Sequence, residues 1–170
     1  MHKHRFNPDG QCLQVALDFV LSYFEDTQLP QDIIALSSDY KTMFQFMAKK
    51  GYCFAIPVPL GSLLSGNFWN LFFRFSGNFV SSQKYTNIKK QLANTQKRYV
   101  VFGEDTAKRL YGLRREYWSH FIVFYNDVED NTLNVFDPLK PILENNLGLP
   151  ISTSYEADKL LFKLLIWKEE

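Results

Sequence analysis

Residues 12 to 24 are apolar at nearly every position, and the polar exceptions Gln14, Asp18 and Ser22 recur every four residues. That spacing predicts a helix buried on most sides with one narrow polar stripe. "LPQDIIAL" (29 to 36) predicts a short second helix opening at Pro30. In "SSDYKTMFQFMAKKG", Tyr40, Met43, Phe44 and Met47 fall at helical spacing, between a Ser/Asp start and a stop made of two lysines and Gly51. These are the signals that open and close a helix. "YTNIKKQLAN" (85 to 94) predicts one more short helix, whereas the aromatic stretch 68 to 83 shows no assignable period.

The second half changes period. "RYVVFGE" (98 to 104), "HFIVFYND" (120 to 127) and "TLNVFDP" (132 to 138) are short β-branched and aromatic runs separated by turn residues, which predicts strands. "LLFKLLIW" (160 to 167) fits a strand or a helix. A helical first half packed on an antiparallel sheet is an α+β arrangement. No repeat, low-complexity tract or linker interrupts the chain, so residues 1–170 read as a single domain.

Composition and charge narrow the function classes. The chain has 170 residues, 46% hydrophobic and 22% charged, with sixteen Phe and nine Tyr, which suffices for one sizeable core. The net charge of +1 supplies no global field for nucleic acid or an anionic membrane. The aromatic run "FWNLFFRF" (68 to 75) is far below the roughly 20 apolar residues of a membrane span, and no secretory signal is visible at the N-terminus. Two cysteines, Cys12 and Cys53, cannot form a disulfide framework, so free thiols in a reducing cytoplasmic setting are expected. His2 and His4 lack the second pair a zinc site requires, and no metal or other cofactor is expected.

Candidate chemistry begins at "NPDGQCLQVALDFVL" (7 to 21), where a turn-forming run delivers Cys12 to the head of the buried helix. A helix N-terminus offers partial positive charge and free N–H groups, and together with a nearby imidazolium it lowers a thiol pKa. If "DVEDN" (127 to 131) is the hairpin loop, residues 126 and 132 face one another and Asp137 lies opposite Phe121, one position from His120. A thiol, an imidazole and a carboxylate are then all available: one to attack, one to move a proton, one to fix the ring. Cys53, in "YCFAIPVPL", has no such context and reads as packing.

Cys12 at the head of a buried helix, followed in order by "SHFIVFYN" and "LNVFDP", resembles the papain-like cysteine peptidase superfamily, most closely its bacterial members related to the bacteriocin-leader peptidases. The resemblance implies Cys12 as nucleophile, His120 as base and Asp137 as orienting carboxylate. It also implies a cleft between helical part and sheet. The "FDP" is similar to that of cysteine protease effectors delivered into host cells, which would place the protein in a host cytoplasm. The family's oxyanion-hole Gln position holds Phe6 here, so the candidates for that role are Asn7, Gln11 and the backbone of the Asp9–Cys12 turn. "DGQCL" (9 to 13) and the His120–Phe121 pair resemble ovarian-tumour-type deubiquitinases, although Gln14 and the missing Trp-Gly-Gly segment depart from them. A transglutaminase-like core has the same residue order but a shorter Cys-to-His interval.

The implied reaction is acyl transfer from an amide or isopeptide bond of a protein or peptide through a thioester, with proteolysis leading and glutamine deamidation using the same intermediate. The basic-aromatic segment "AKRLYGLRREYW" (107 to 118), with Lys108, Arg109, Arg114, Arg115 and Trp118, reads as a solvated loop or as a substrate-binding lip suited to an acidic protein surface. Two other classes compete: a non-catalytic interaction domain with a degenerate site, and a nucleic-acid binder resting on the 108 to 115 cluster alone.

Overall fold

The computed structural model describes residues 12–25, 40–58, 79–113, 119–150 and 156–169. The helix expected over 29 to 36 and most of the aromatic stretch 68 to 83 lie outside them.

The first helix, α1 (Cys12–Tyr23), matches the apolar run. Ala16, Leu17, Val20 and Leu21 are fully buried, and Val15 and Ser22 face outward. Burying each such Leu or Val is worth about 1.5–3 kcal/mol. Helix α2 (Tyr40–Lys49) follows, with Met47 buried and Gly51 at a positive φ of 92° just beyond it. Strand β1 (Tyr52–Val58) comes next, then β2 (Phe79–Ser81) and α3 (Ser82–Asn94). The Ser81 side chain caps α3 by accepting from the Lys84 N–H at 3.1 Å. The second half runs β3 (Tyr99–Thr106), a short α4 (Ala107–Tyr111), β4 (Ser119–Asn126), β5 (Leu133–Phe136), α5 (Lys140–Leu147), a 3₁₀ turn (Ala157–Lys159) and β6 (Phe162–Lys168).

The six strands form one sheet in the order β2-β1-β6-β3-β4-β5. It is mixed, because β1 and β2 run parallel while every other pair is antiparallel. An α+β protein is therefore what the chain builds, but with three differences from expectation, the first being that the sheet is not antiparallel throughout. The N-terminal half contributes two strands, and helices cover both faces. Helices α1 and α2 share a core with Val100, Phe102, Phe121 and Val123, whereas α3, α4 and α5 pack with Val101, Ile122 and Phe124 on the other face. Consecutive residues of β3 and β4 thus feed opposite cores, the period-2 rule with both faces buried. Gly103 lets the outer layer in: a Cβ there would lie 2.0 Å from Leu160 Cδ1.

Among the described residues no helix is long and apolar enough to cross a membrane.

Candidate active site

β4 begins at Ser119, so His120 is its second residue, with no exposed surface at all. The β4–β5 hairpin pairs Asn126 with Leu133 and Val123 with Phe136. The loop is therefore residues 127–132, closed by the Asp127 N–H donating to the Thr132 carbonyl at 2.8 Å, with Asn131 in the left-handed region at φ 60°. This register differs by one residue from the expected one, and the difference matters. Asp137, continuing β5, falls level with Ile122 instead of Phe121. Because faces alternate, that one-residue step puts it on the same side as His120.

The two side chains meet: His120 Nε2 lies 2.6 Å from Asp137 Oδ1, and only 3% of the Asp137 side chain is exposed. Asp137 is itself held in place. The Leu139 N–H donates to its Oδ1 at 2.9 Å, forming a turn over "DPL", and the Tyr111 hydroxyl donates to its Oδ2 at 2.5 Å. Tyr111 ends α4, which Gly112 closes at φ 69°, and its ring lies 6.0 Å from that of His120.

Cys12 approaches from the other layer. It is the first residue of α1, buried at 8% exposure in the core that includes Phe121 and Val123. It lies close enough to the imidazole for its side chain and charge to raise the His120 pKa. With Nε2 taken by Asp137, Nδ1 is the ring nitrogen left to face the sulfur. This reverses the serine-protease triad, in which the carboxylate holds Nδ1. Burial works against a charge on His120, but the hydrogen bonds and charges of Asp137 and Cys12 outweigh it and push the pKa up to about 9.

A second carboxylate lies close by. Asp105 on β3 is paired directly with His120 across the ladder. Its Oδ1 is already engaged by the Thr106 N–H at 2.7 Å and by Arg109 Nε at 3.4 Å. Burial raises its pKa, against those two partners. Arg109 also donates to the Lys159 carbonyl at 2.7 Å, so it braces α4 against the 3₁₀ turn. This corrects part of the basic-segment reading: 107 to 111 is a helix with its Ala107, Leu110 and Tyr111 buried, not a solvated loop.

Cys12, His120 and Asp137 are thus brought together, whereas the oxyanion-hole candidates Asn7, Asp9 and Gln11 and the lip candidates Arg114, Arg115 and Trp118 lie outside the described residues, as do His2 and His4. Cys53 is half-buried on β1, and both cysteines are free thiols. Tyr111 escaped sequence reasoning. Its signal was Tyr followed by Gly in "KRLYG", a buried aromatic at a helix end, read there only for its charges. In comparisons with protein-family models, curated proteins and solved structures, the chain matches none.

Proposed function

We propose that the chain is a papain-like thiol hydrolase that cleaves an amide or isopeptide bond in a protein or peptide. The observation that carries this reading is the buried His120–Asp137 pair at 2.6 Å, with Cys12 at the start of a buried helix near enough to raise the imidazole's pKa. In this mechanism the Cys12 thiolate attacks the carbonyl carbon and the N–H groups of the first turn of α1 are available to the oxyanion. His120 passes its proton to the leaving amine and a thioester remains. Water, deprotonated by His120, then attacks that thioester, releasing the acid and regenerating the pair. Asp137 keeps Nδ1 aimed at the sulfur and stabilises the imidazolium. With a glutamine side chain as substrate the leaving group is ammonia and the product is a glutamate.

The test is the alkylation rate of Cys12 by iodoacetamide against pH, followed by mass spectrometry, with Cys53 as internal control. The wild type is expected to label rapidly at pH 5 to 6, and His120→Ala to lose that reactivity while keeping its circular dichroism spectrum. Cys12→Ser should reduce turnover of a cleaved substrate by about a thousandfold or more. A Cys12 that reacts no faster than Cys53 in the folded protein refutes the hydrolase and leaves a non-catalytic interaction domain.

A further inference from the structure

On the α3 face of the sheet, at β1 and β6, lies a cavity of about 470 Å³ whose walls include Tyr85, Lys89, Lys90, Tyr99, Asp158 and Lys163. Three ammonium groups and one carboxylate line it. Lys89 and Lys163 are drawn in, with side chains only 17% and 21% exposed. Lys89 pairs with Asp158 Oδ1 at 3.4 Å; Lys163 donates to the Asp158 backbone carbonyl at 3.0 Å and lies 3.9 Å from the same Oδ1. One carboxylate therefore stands near two half-buried cations, and it is the exposed partner, at 74%. Tyr85 is 3% exposed, and its hydroxyl has no hydrogen-bond partner among the described residues. Lys163 Nζ lies 5.4 Å from the centre of that ring. Burial holds the Lys163 pKa below its ordinary value; Asp158 works against this and Lys89 adds to it.

A buried donor without an acceptor beside three ammonium groups and a single carboxylate describes a site short of negative charge. We propose that this cavity binds a phosphate group, either the free anion or the head of a small phosphomonoester, with Lys89, Lys90 and Lys163 as its cationic partners and Asp158 as the group it displaces. A dianion suits three cations better than a second carboxylate does. Its hydrogen-bond capacity also exceeds that of a carboxylate, leaving an oxygen for the Tyr85 hydroxyl once the ring shifts. The cavity is built from α3, β1, β3, the 3₁₀ turn and β6, not from the β4–β5 end that carries His120 and Asp137.

The experiment is a titration of the full chain with inorganic phosphate, phenyl phosphate and acetate, followed by amide chemical shifts around Tyr85 and Lys89. Phosphate is expected to bind with a Kd on the order of 1 mM or tighter, and acetate roughly tenfold more weakly. Asp158→Asn removes the competing carboxylate and should tighten phosphate several-fold. Lys89→Gln and Lys163→Gln should each weaken it roughly tenfold. Tighter binding of phenyl phosphate than of inorganic phosphate assigns the site to a phosphomonoester, and equal binding assigns it to the free anion. No saturable shift, unchanged affinity in Asp158→Asn, or unchanged affinity in the folded lysine variants overturns the proposal. The alkylation rate of Cys12 should be the same in all three variants, so this outcome and that of the hydrolase test are separable.

Discussion

Strand β4 buries a polar side chain at each end, and the two ends solve the problem of burial in different ways. Asn126 closes the far end at 1% exposure. Its Oδ1 accepts from the Tyr99 N–H at 2.8 Å and the Tyr23 hydroxyl at 2.7 Å, and its Nδ2 donates to the Lys97 carbonyl at 2.9 Å. A neutral amide is thereby fixed by groups that cannot change charge at ordinary pH; burial pushes the Tyr23 pKa up to about 12. At the near end, the two groups that raise the His120 pKa can themselves take or lose a proton: the Asp137 carboxyl on Nε2 and the Cys12 thiol. One end holds α1 and β3 to the hairpin; the other holds a proton that can be moved. Satisfied buried networks rigidify a fold, while titratable ones make it respond.

The comparison breaks most visibly at Asn126. Asn126→Leu leaves the Tyr99 N–H and the Lys97 carbonyl without that partner, while the Tyr23 hydroxyl keeps the backbone carbonyl of residue 126, and each lost bond to a buried group costs about 1–3 kcal/mol. The expected loss of folding stability is about 2–4 kcal/mol in urea unfolding. At a temperature where the variant remains folded, Cys12 should still label at the wild-type rate. A loss below about 1 kcal/mol would mean that the amide is not what ties β4 to β3 and α1.

The legibility of the two ends also differs. The strands were readable because 99–106 and 119–126 are dense in Val, Ile and Phe, and the helix at Cys12 because its polar positions fall in one stripe. Strand β1 was not, because "YCFAIPV" is buried on both faces, shows no alternation and contains Pro57. That proline is tolerated because the ladder to β6 covers only Tyr52 to Ala55, leaving no bond on that side for Pro57 to break. Helix α5 was missed too, since "KPILENNL" offers a proline near its start and no side-chain cap. At the site, the order Cys12, His120, Asp137 was legible, but the face of Asp137 was not. A six-residue loop in place of five moves it across the sheet, and local sequence does not fix loop length to one residue. Tyr111 and Asp105 were invisible for a related reason: both reach His120 through tertiary contacts that no spacing encodes.

A smaller effect separates the two ends by pH. The His120 pKa rises from its ordinary 6.5 to about 9 on folding, so between those values the native state binds more protons than the unfolded chain. Its contribution to stability is fully present below about pH 6.5 and is lost as pH rises through about 9. Urea midpoints measured from pH 6 to 9.5 should fall across that window in the wild type. In His120→Ala the fall should flatten, whereas in Asn126→Leu it should persist on a lower baseline. An equal slope in wild type and His120→Ala would show that the imidazole does not carry the proton.

The finest probe is Tyr111→Phe, which removes one hydroxyl and nothing else. In the wild type that hydroxyl and the Leu139 N–H take up both oxygens of Asp137, fixing the carboxylate that in turn fixes the imidazole. Loss of one bond to a buried acceptor predicts a cost of about 1–2 kcal/mol in stability. The remaining carboxylate, less well satisfied, attracts the proton on His120 more strongly, so the stability loss tied to His120 should move to higher pH than about 9. A purely structural tyrosine would lower stability and leave that transition where it was. The shift in the transition is therefore the result that makes Tyr111 a positioning residue: the packed ring holds α4 against the site, and its hydroxyl tunes the proton on His120.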